Sequence, residues 1–315
     1  MGDFTNETVL VTGGAGFIGS HVVEALLHEG ASVVVVDDMS TGSPGNLSHI
    51  IDDPGLRIIE TDASTVSPTP LEGVTMGVHL AALTEVASSI EDPTGTVEVN
   101  VLGSVHVLET LRRIGARSAV VASSAAIYGE VPIPVDESGP HHPISPYGAG
   151  KLAVDHFVRY YADHTDLAVC ALRFFNVYGP RQHPRSPYSG VISVYTAAAL
   201  TGENLLVNGD GEQTRDFVFV KDVVRAILSA LRSPGAKGEA INIGTGHGTS
   251  INDLAVAVID IAGSTSEMVH GPPRPGDIKH SMAKVDKAAY LLSFEASTPL
   301  RDGLASTVHW MRDQL

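Results

Sequence analysis

The 315-residue chain holds one cysteine and six lysines and contains no long apolar run. Each shortage removes a class of protein. Cys170 alone cannot close an internal disulfide or build a thiolate metal cluster, which fits a reducing compartment. No apolar stretch approaches the roughly 20 residues that span a bilayer. Only a short polar lead precedes the first apolar run, Val9-Leu10-Val11, so neither a membrane anchor nor a signal peptide is expected. Basic residues are few: 20 Lys and Arg face 36 Asp and Glu, a formal net charge of −16. Nucleic acid and anionic membranes both require a basic face, so neither is an expected partner. No metal site is expected, and the cytoplasm is the expected location.

What is present is an apolar fraction of 43%, too high for disorder, in a chain long enough for one large domain or two that share a core. Residues 8–12, 31–37, 56–60, 77–80, 118–123 and 167–173 form short strand-like runs. Residues 16–29, 97–114 and 147–163 are longer, with small or apolar residues recurring at three and four. This alternation predicts an α/β fold with a doubly wound parallel sheet of Rossmann type. After Arg173 the rhythm breaks into a loop-rich stretch over 176–188, followed by a helix at about 191–200. A helix at 217–231 and a strand at 240–243 return to the first unit. The tail from residue 251, with the loop Gly271-Pro-Pro-Arg-Pro-Gly276, completes a smaller lobe. The expected division is a first domain at 1–175, completed by about 217–245, and a C-terminal lobe built from 176–216 and 246–315.

Val9-Leu10-Val11-Thr12-Gly13-Gly14-Ala15-Gly16-Phe17-Ile18-Gly19 runs from a strand into a helix through clustered glycines. Gly13 and Gly16 permit a tight turn whose N–H groups can approach a pyrophosphate, and Gly19 lets helix and strand pack closely. Asp37 ends the next strand, eighteen residues past Gly19. A carboxylate there accepts from a ribose diol and repels a 2′-phosphate, which favours NAD over NADP. Asp38 either shares that contact or starts the following loop. Asp62, with Ala63 beside it, is an adenine contact or a helix cap. The small residues of Leu80-Ala81-Ala82 suit a backbone lying against a cofactor, and His79 before them reads as a packed histidine.

Tyr147 and Lys151 stand four apart at the start of a predicted helix, on one face and one turn apart. A phenol with a pKa of roughly 10 is a poor base near neutrality, and a nearby cation favours its phenolate. Lys151 is the only lysine before residue 221, which sets it apart from an ordinary surface lysine. Ser123 and Ser124 end the preceding strand, where strand ends line the ligand crevice. One of them is expected to cap the next turn.

These residues resemble the extended short-chain dehydrogenase/reductases, specifically the NAD-dependent sugar-nucleotide epimerase/dehydratase group and its UDP-hexose 4-epimerases. The resemblance spans essentially the whole chain, through Thr12-Gly-Gly-Ala-Gly-Phe-Ile-Gly19, Tyr147-x-x-x-Lys151, Arg173-Phe-Phe-Asn176-Val-Tyr-Gly-Pro-Arg181, Asp210-Gly-Glu-Gln-Thr-Arg-Asp-Phe217, Asn242-Ile-Gly-Thr-Gly246 and Arg274-Pro-Gly-Asp277. It implies NAD as a tightly held cofactor, Ser124 as the catalytic hydroxyl, Tyr147 as acid/base, and Lys151 as its partner and a ribose ligand. Asn100 falls on the helix beside the cofactor. Asn176, Arg215 and Arg274 fall where the group holds the nucleoside diphosphate. Val207 and Asp277 accompany them, and Arg274 and Asp277 can also form a structural ion pair. The two long helices resemble the pair that forms a four-helix homodimer interface.

Within the group the neighbours of the catalytic hydroxyl separate the reactions. Dehydratases carry an acidic pair immediately after it, because elimination needs both a base and an acid; Ala125 and Ala126 stand there in this chain. The acidic and arginine contacts of the decarboxylases are also absent beside Ser124. The resemblance therefore implies a 4-epimerase of UDP-hexoses. Ser281 stands where a bulky tyrosine can restrict the sugar pocket, so N-acetylated sugars are admitted beside UDP-glucose and UDP-galactose. Asn208 stands where an aromatic often stacks on uracil. The competing readings are another reaction of the same group, a net oxidoreductase, or a nucleotide-sugar-binding protein without chemistry.

Overall fold

The computed structural model describes residues 4–182, 190–274 and 276–315. The 183–188 portion of the expected proline-bearing loop and Pro275 lie outside the described residues. Six strands, β1 (Thr8–Thr12), β2 (Ser32–Asp37), β3 (Leu56–Glu60), β4 (Met76–His79), β5 (Ser118–Ser124) and β6 (Ala168–Phe174), join a seventh at Ala240–Ile243. All pair in parallel, in the order β3-β2-β1-β4-β5-β6 followed by the Ala240–Ile243 strand. The order reverses between β1 and β4, which opens a crevice at the carboxyl ends of the strands.

The valine run in β2 shows why a strand forms there. Val33 and Val35 point into one apolar layer and Val34 and Val36 into the other, all four buried, as a strand covered on both faces requires. The first layer is filled by α1 (Phe17–His28), through Val22, Val23 and Leu26. The second is filled by α4 (Gly103–Arg113) and α5 (Pro146–His164), through Leu108, Leu111, Val154 and Val158. Two short helices, α2 (Val86–Glu91) and α3 (Pro93–Val97), lead into α4. A separate apolar cluster joins α6 (Val191–Thr201), α8 (Ile251–Ala262) and α10 (Leu300–Arg312) through Ile192, Tyr195, Leu254, Val258 and Leu304. Helices α7 (Val220–Arg232) and α9 (Asp286–Leu292) return to the first layer.

Two expected elements differ. Residues 97–114 do not form one regular helix: a wide π-type turn at Glu98–Leu102 separates α3 from α4. The fully buried Asn100 sits in it, and its side chain donates to Leu83 O and accepts from Leu83 N–H, both at 2.8 Å. The wide turn is what aims that amide at the loop after β4. The helix expected at 217–231 starts later, because Phe217–Phe219 pairs in parallel with a strand at Asn176–Tyr178. Between these segments Asp216, fully buried, accepts from Thr245 N–H and Oγ, Gly246 N–H and Ala283 N–H at 2.7–3.1 Å.

Two buried histidines make the fold acid-sensitive. Burial pushes His79 down to about 3 and His21 down to about 4. Both therefore take up protons on unfolding at pH values where the folded chain does not. Their contribution to stability is complete above the usual histidine range near 6.5 and is lost as pH falls through the folded values. At pH 5 each costs about 2 kcal/mol relative to pH 7.5. Urea denaturation at the two pH values checks this; an unchanged midpoint contradicts it.

Candidate active site

The site is assembled where strands end. Gly13, after β1, has φ +69°, and a Cβ on it would stand 2.8 Å from Ala81 N. A Cβ on Gly19 would stand 2.0 Å from Gly13 O. Only hydrogen fits at either place, so β1, the loop after β4 and the first turn of α1 close on one another. No side chain caps α1, whose N-cap is Gly16, which leaves the N–H groups around Phe17 and Ile18 for an anionic group. Asp37 is buried, with Oδ2 accepting from Ala15 N–H and Oδ1 from Met39 N–H, each at 2.9 Å. Those bonds fix the carboxylate over the glycine turn and use two of its about four acceptor positions. The rest can take a ribose diol.

Other expected contacts divide by geometry. Asp38 organises its own loop, accepting from Ser40 N–H and Oγ. Asp62 is exposed and accepts from Ser64 N–H at 2.7 Å, which closes a turn over 63–65 instead of capping a helix, with Ala63 buried beside it. Leu80, Ala81 and Ala82 are half-buried at the mouth of the crevice, and Leu80 N–H donates to Thr12 O at 3.1 Å. Asn100 reaches them only through Leu83. His79 is a packed histidine, held between Thr12 Oγ1 and Ser104 Oγ at 2.7 and 2.9 Å.

The reactive groups stand on β5 and α5. Pro146 opens α5, whose N-cap Ser145 accepts from Gly148 N–H. This start places Tyr147 against Ser124 at the end of β5, and the Ser124 side chain lowers the phenol's affinity for its proton. Burial outweighs that effect and moves the phenol up, in the opposite direction to the one expected from Lys151. The reason is geometric: Lys151 Nζ stands 5.9 Å from the Tyr147 ring centre and donates to Ala122 O at 2.9 Å. Burial moves Lys151 down to about 8, opposed by Asp155. Ser124 is also the serine that caps the next turn, accepting from Ala126 N–H at 3.1 Å. Ser123 Oγ is buried without a partner.

Of the expected substrate contacts, Arg215 pairs with Asp277 and also donates to Thr214 O. Asp277 N–H donates to Arg274 O at 3.2 Å. Ser281 is half-buried and lies opposite Arg215 in the strand register. Asn176 is exposed, at the strand junction beside Asp216. Val207 is fully buried in the strand Leu205–Asn208, paired with His270 of the neighbouring strand, so the contact expected of it is not exposed here: it packs the core of the lobe. A cavity of about 320 Å³ lined by Met76, Ser118, Cys170 and Arg232 lies at the opposite end of the sheet and shares no residue with this cluster.

Sequence reasoning did not reach Asp155, Arg173, Tyr128 or Asn242 as a unit. Arg173 Nε donates to Asp155 Oδ2 at 2.9 Å, and its Nη1 donates to Tyr128 OH at 2.8 Å. Tyr128 OH donates to Asn242 Oδ1 at 2.6 Å. The available signal was the continuing interval of four from Tyr147 through Lys151 to Asp155.

The NAD-dependent epimerase/dehydratase family model matches residues 9–244. The UDP-glucose 4-epimerase of Mycolicibacterium smegmatis is 37% identical over 310 residues, covering 97% of this chain and 98% of that one. UDP-glucuronic acid decarboxylase 1 of Xenopus tropicalis is 33% identical, covering 98% of this chain and 73% of its own length. The structure of UDP-N-acetylglucosamine 4-epimerase from Methanobrevibacter ruminantium, in complex with UDP-N-acetylmuramic acid, superposes with a TM-score of 0.95 at 34% identity over the whole of both chains. The glycine turn with Asp37 fits NAD on its own geometry, and with these likenesses the conclusion is direct: the chain belongs to the NAD-dependent epimerase/dehydratase family.

Proposed function

We propose that the chain is a 4-epimerase of UDP-hexoses, acting on UDP-glucose/UDP-galactose and on UDP-N-acetylglucosamine/UDP-N-acetylgalactosamine through a transient 4-keto sugar. The observation that carries this reading is the Ser124–Tyr147 pair at the end of β5 with Lys151 behind it and only Ala125 and Ala126 following. Since an epimerase and a decarboxylase have similar identity to this chain, side chains at the site have to separate the reactions. Bound NAD⁺ supplies a hydride acceptor for the sugar C4 hydrogen and a positive charge in the same crevice. Tyr147 Oη removes the 4-hydroxyl proton and returns it, with Ser124 Oγ holding the same oxygen. Lys151 stands behind the phenol with Nζ 5.9 Å from the ring centre, and the Ser124 side chain is what opposes the upward push of burial. No carboxylate follows Ser124 to remove a C5 proton, so these residues do not carry the ketone on to elimination; Tyr147 gives back the proton as the hydride held by the cofactor returns to the other face of the ketone.

In this reading the lobe of 176–216 and 246–315 holds the nucleotide sugar, with Asn176, Arg215 and Arg274 at the diphosphate. Incubating the purified protein with a panel of nucleotide sugars and analysing the products tests the reading. Formation of the 4-epimer from both UDP-glucose and UDP-N-acetylglucosamine is expected, and turnover of UDP-glucose alone removes the pocket argument based on Ser281. Ser281→Tyr is expected to lower turnover of the N-acetylated pair at least about tenfold, equivalent to about 1.4 kcal/mol, while sparing the smaller pair. We also propose a homodimer: Val97, Val99 and Leu102 on one helical segment and Phe157 and Tyr160 on α5 are exposed apolar residues. Light scattering at twice the 33.0 kDa chain mass is the expected result, and a monomer overturns it.

A further inference from the structure

Lys151 is buried and its ammonium touches one neutral acceptor, Ala122 O. An isolated buried ammonium loses its charge unless an anion compensates. The titratable groups around it are Tyr147 and Asp155 on α5 and His79 on β4. His79 is neutral, with both ring nitrogens engaged by hydroxyls. Asp155 is the anion among them, one helical turn beyond Lys151 and buried. Around Asp155 stand Arg173 on β6 and, on the segment after β5, Tyr128, Glu137 and His141; His156 follows it on α5. Arg173 engages Oδ2 alone, and Oδ1 is buried with no hydrogen-bond partner, so the carboxylate's charge is not closed off by a two-pronged pair.

We infer that Asp155 is a positioning residue that keeps Lys151 protonated, as the middle member of a buried cation–anion–cation row of Lys151, Asp155 and Arg173. Arg173 in turn limits how strongly Asp155 acts, and Tyr128 and the Glu137 carbonyl fix the Arg173 fork. Loss of Asp155 and loss of Arg173 therefore have opposite consequences for Lys151. Removing the Asp155 charge leaves Lys151 without its anion while Arg173 stays charged, so Lys151 releases its proton at lower pH. Removing the Arg173 charge frees more of the Asp155 field, so Lys151 holds its proton to higher pH.

The test is a ¹³Cε-lysine NMR titration of the purified protein with its bound NAD, in which Lys151→Arg identifies the Lys151 signal among six lysines. Asp155→Asn is expected to lower the Lys151 midpoint by about one pH unit or more, and Arg173→Gln to raise it by a smaller amount. The double variant removes the Arg173 repulsion together with the Asp155 attraction, and is expected to bring the midpoint part of the way back from the Asp155→Asn value toward that of the unaltered chain. Shifts of the same sign, or no shift, overturn the inference. If Asp155→Asn does not fold, Arg173→Gln decides alone: a rise supports the row, and no change or a fall ends it. The bearing on turnover rests on the epimerase reading, and there the alkaline limb of the rate profile is expected to follow the NMR midpoint. A shifted NMR midpoint with an unmoved limb counts against that reading of the reaction and leaves the row standing.

Discussion

Tyr147→Phe is expected to lower turnover by about 10²–10⁴-fold, the usual worth of a positioned acid/base, with UDP binding retained. The argument lies in what the substitution leaves in place. Phenylalanine keeps the ring in its buried position, so α5, the Ser145 cap and the Ser124 cap on Ala126 persist. Only the oxygen that exchanges a proton with the sugar is lost. Ser124 remains and can hold the 4-hydroxyl, but a hydroxyl with no cation behind it is a far weaker base. Product analysis paired with calorimetric titration of UDP separates the two quantities. Full turnover in this variant overturns the assignment of Tyr147; loss of UDP binding together with turnover shows that the site has collapsed.

Gly19→Ala is expected to have the other large effect, on cofactor retention. The added Cβ would stand 2.0 Å from Gly13 O and 2.8 Å from Gly14 Cα. Both are backbone atoms that cannot rotate away, so α1 must move off β1. Overpacking of this kind costs about 1–3 kcal/mol. The displacement also shifts the uncapped first turn of α1 and Ala15, whose N–H holds Asp37 at 2.9 Å. Phosphate-facing N–H groups and ribose-facing carboxylate are therefore misplaced together. The expected result is purified protein without bound NAD by absorbance and with a lowered melting temperature. Full retention of NAD removes the close-packing account of this turn.

The sheet was legible because its strands are short β-branched runs bounded by glycines and polar residues, and β2 announces burial on both faces by four consecutive valines. The cofactor turn was legible because glycine spacing and Asp37 act through local backbone geometry. The departures came where tertiary contact overrides local pattern. Phe217–Phe219 falls within the expected helix, although its aromatic and β-branched residues suit a strand, and it becomes one because Asn176–Tyr178 is there to pair with it. The direction of the Tyr147 shift could not be read from a spacing of four, since it depends on how deeply the phenol is buried and where Nζ points. Arg215 and Asp277 are 62 residues apart, and only the fold brings them together. Asp216, between two residues of a recognised motif, gave no sign that it would hold four donors.

The wide turn at Glu98–Leu102 has a consequence for insertions and deletions. Relative to a regular helix it holds one extra residue, and each residue advances a helix by about 100°. Deleting the codon for Val101 or Leu102 would allow α3 and α4 to run on as a regular helix. Val107, Leu108 and Leu111 could keep their places in the core, while everything on the N-terminal side, Asn100 included, would swing by about that angle. The amide would leave both backbone groups of Leu83, and the loop after β4 would lose its clamp with no change in the chemical character of any remaining residue. Along this segment, chain length is under as strict a constraint as residue identity.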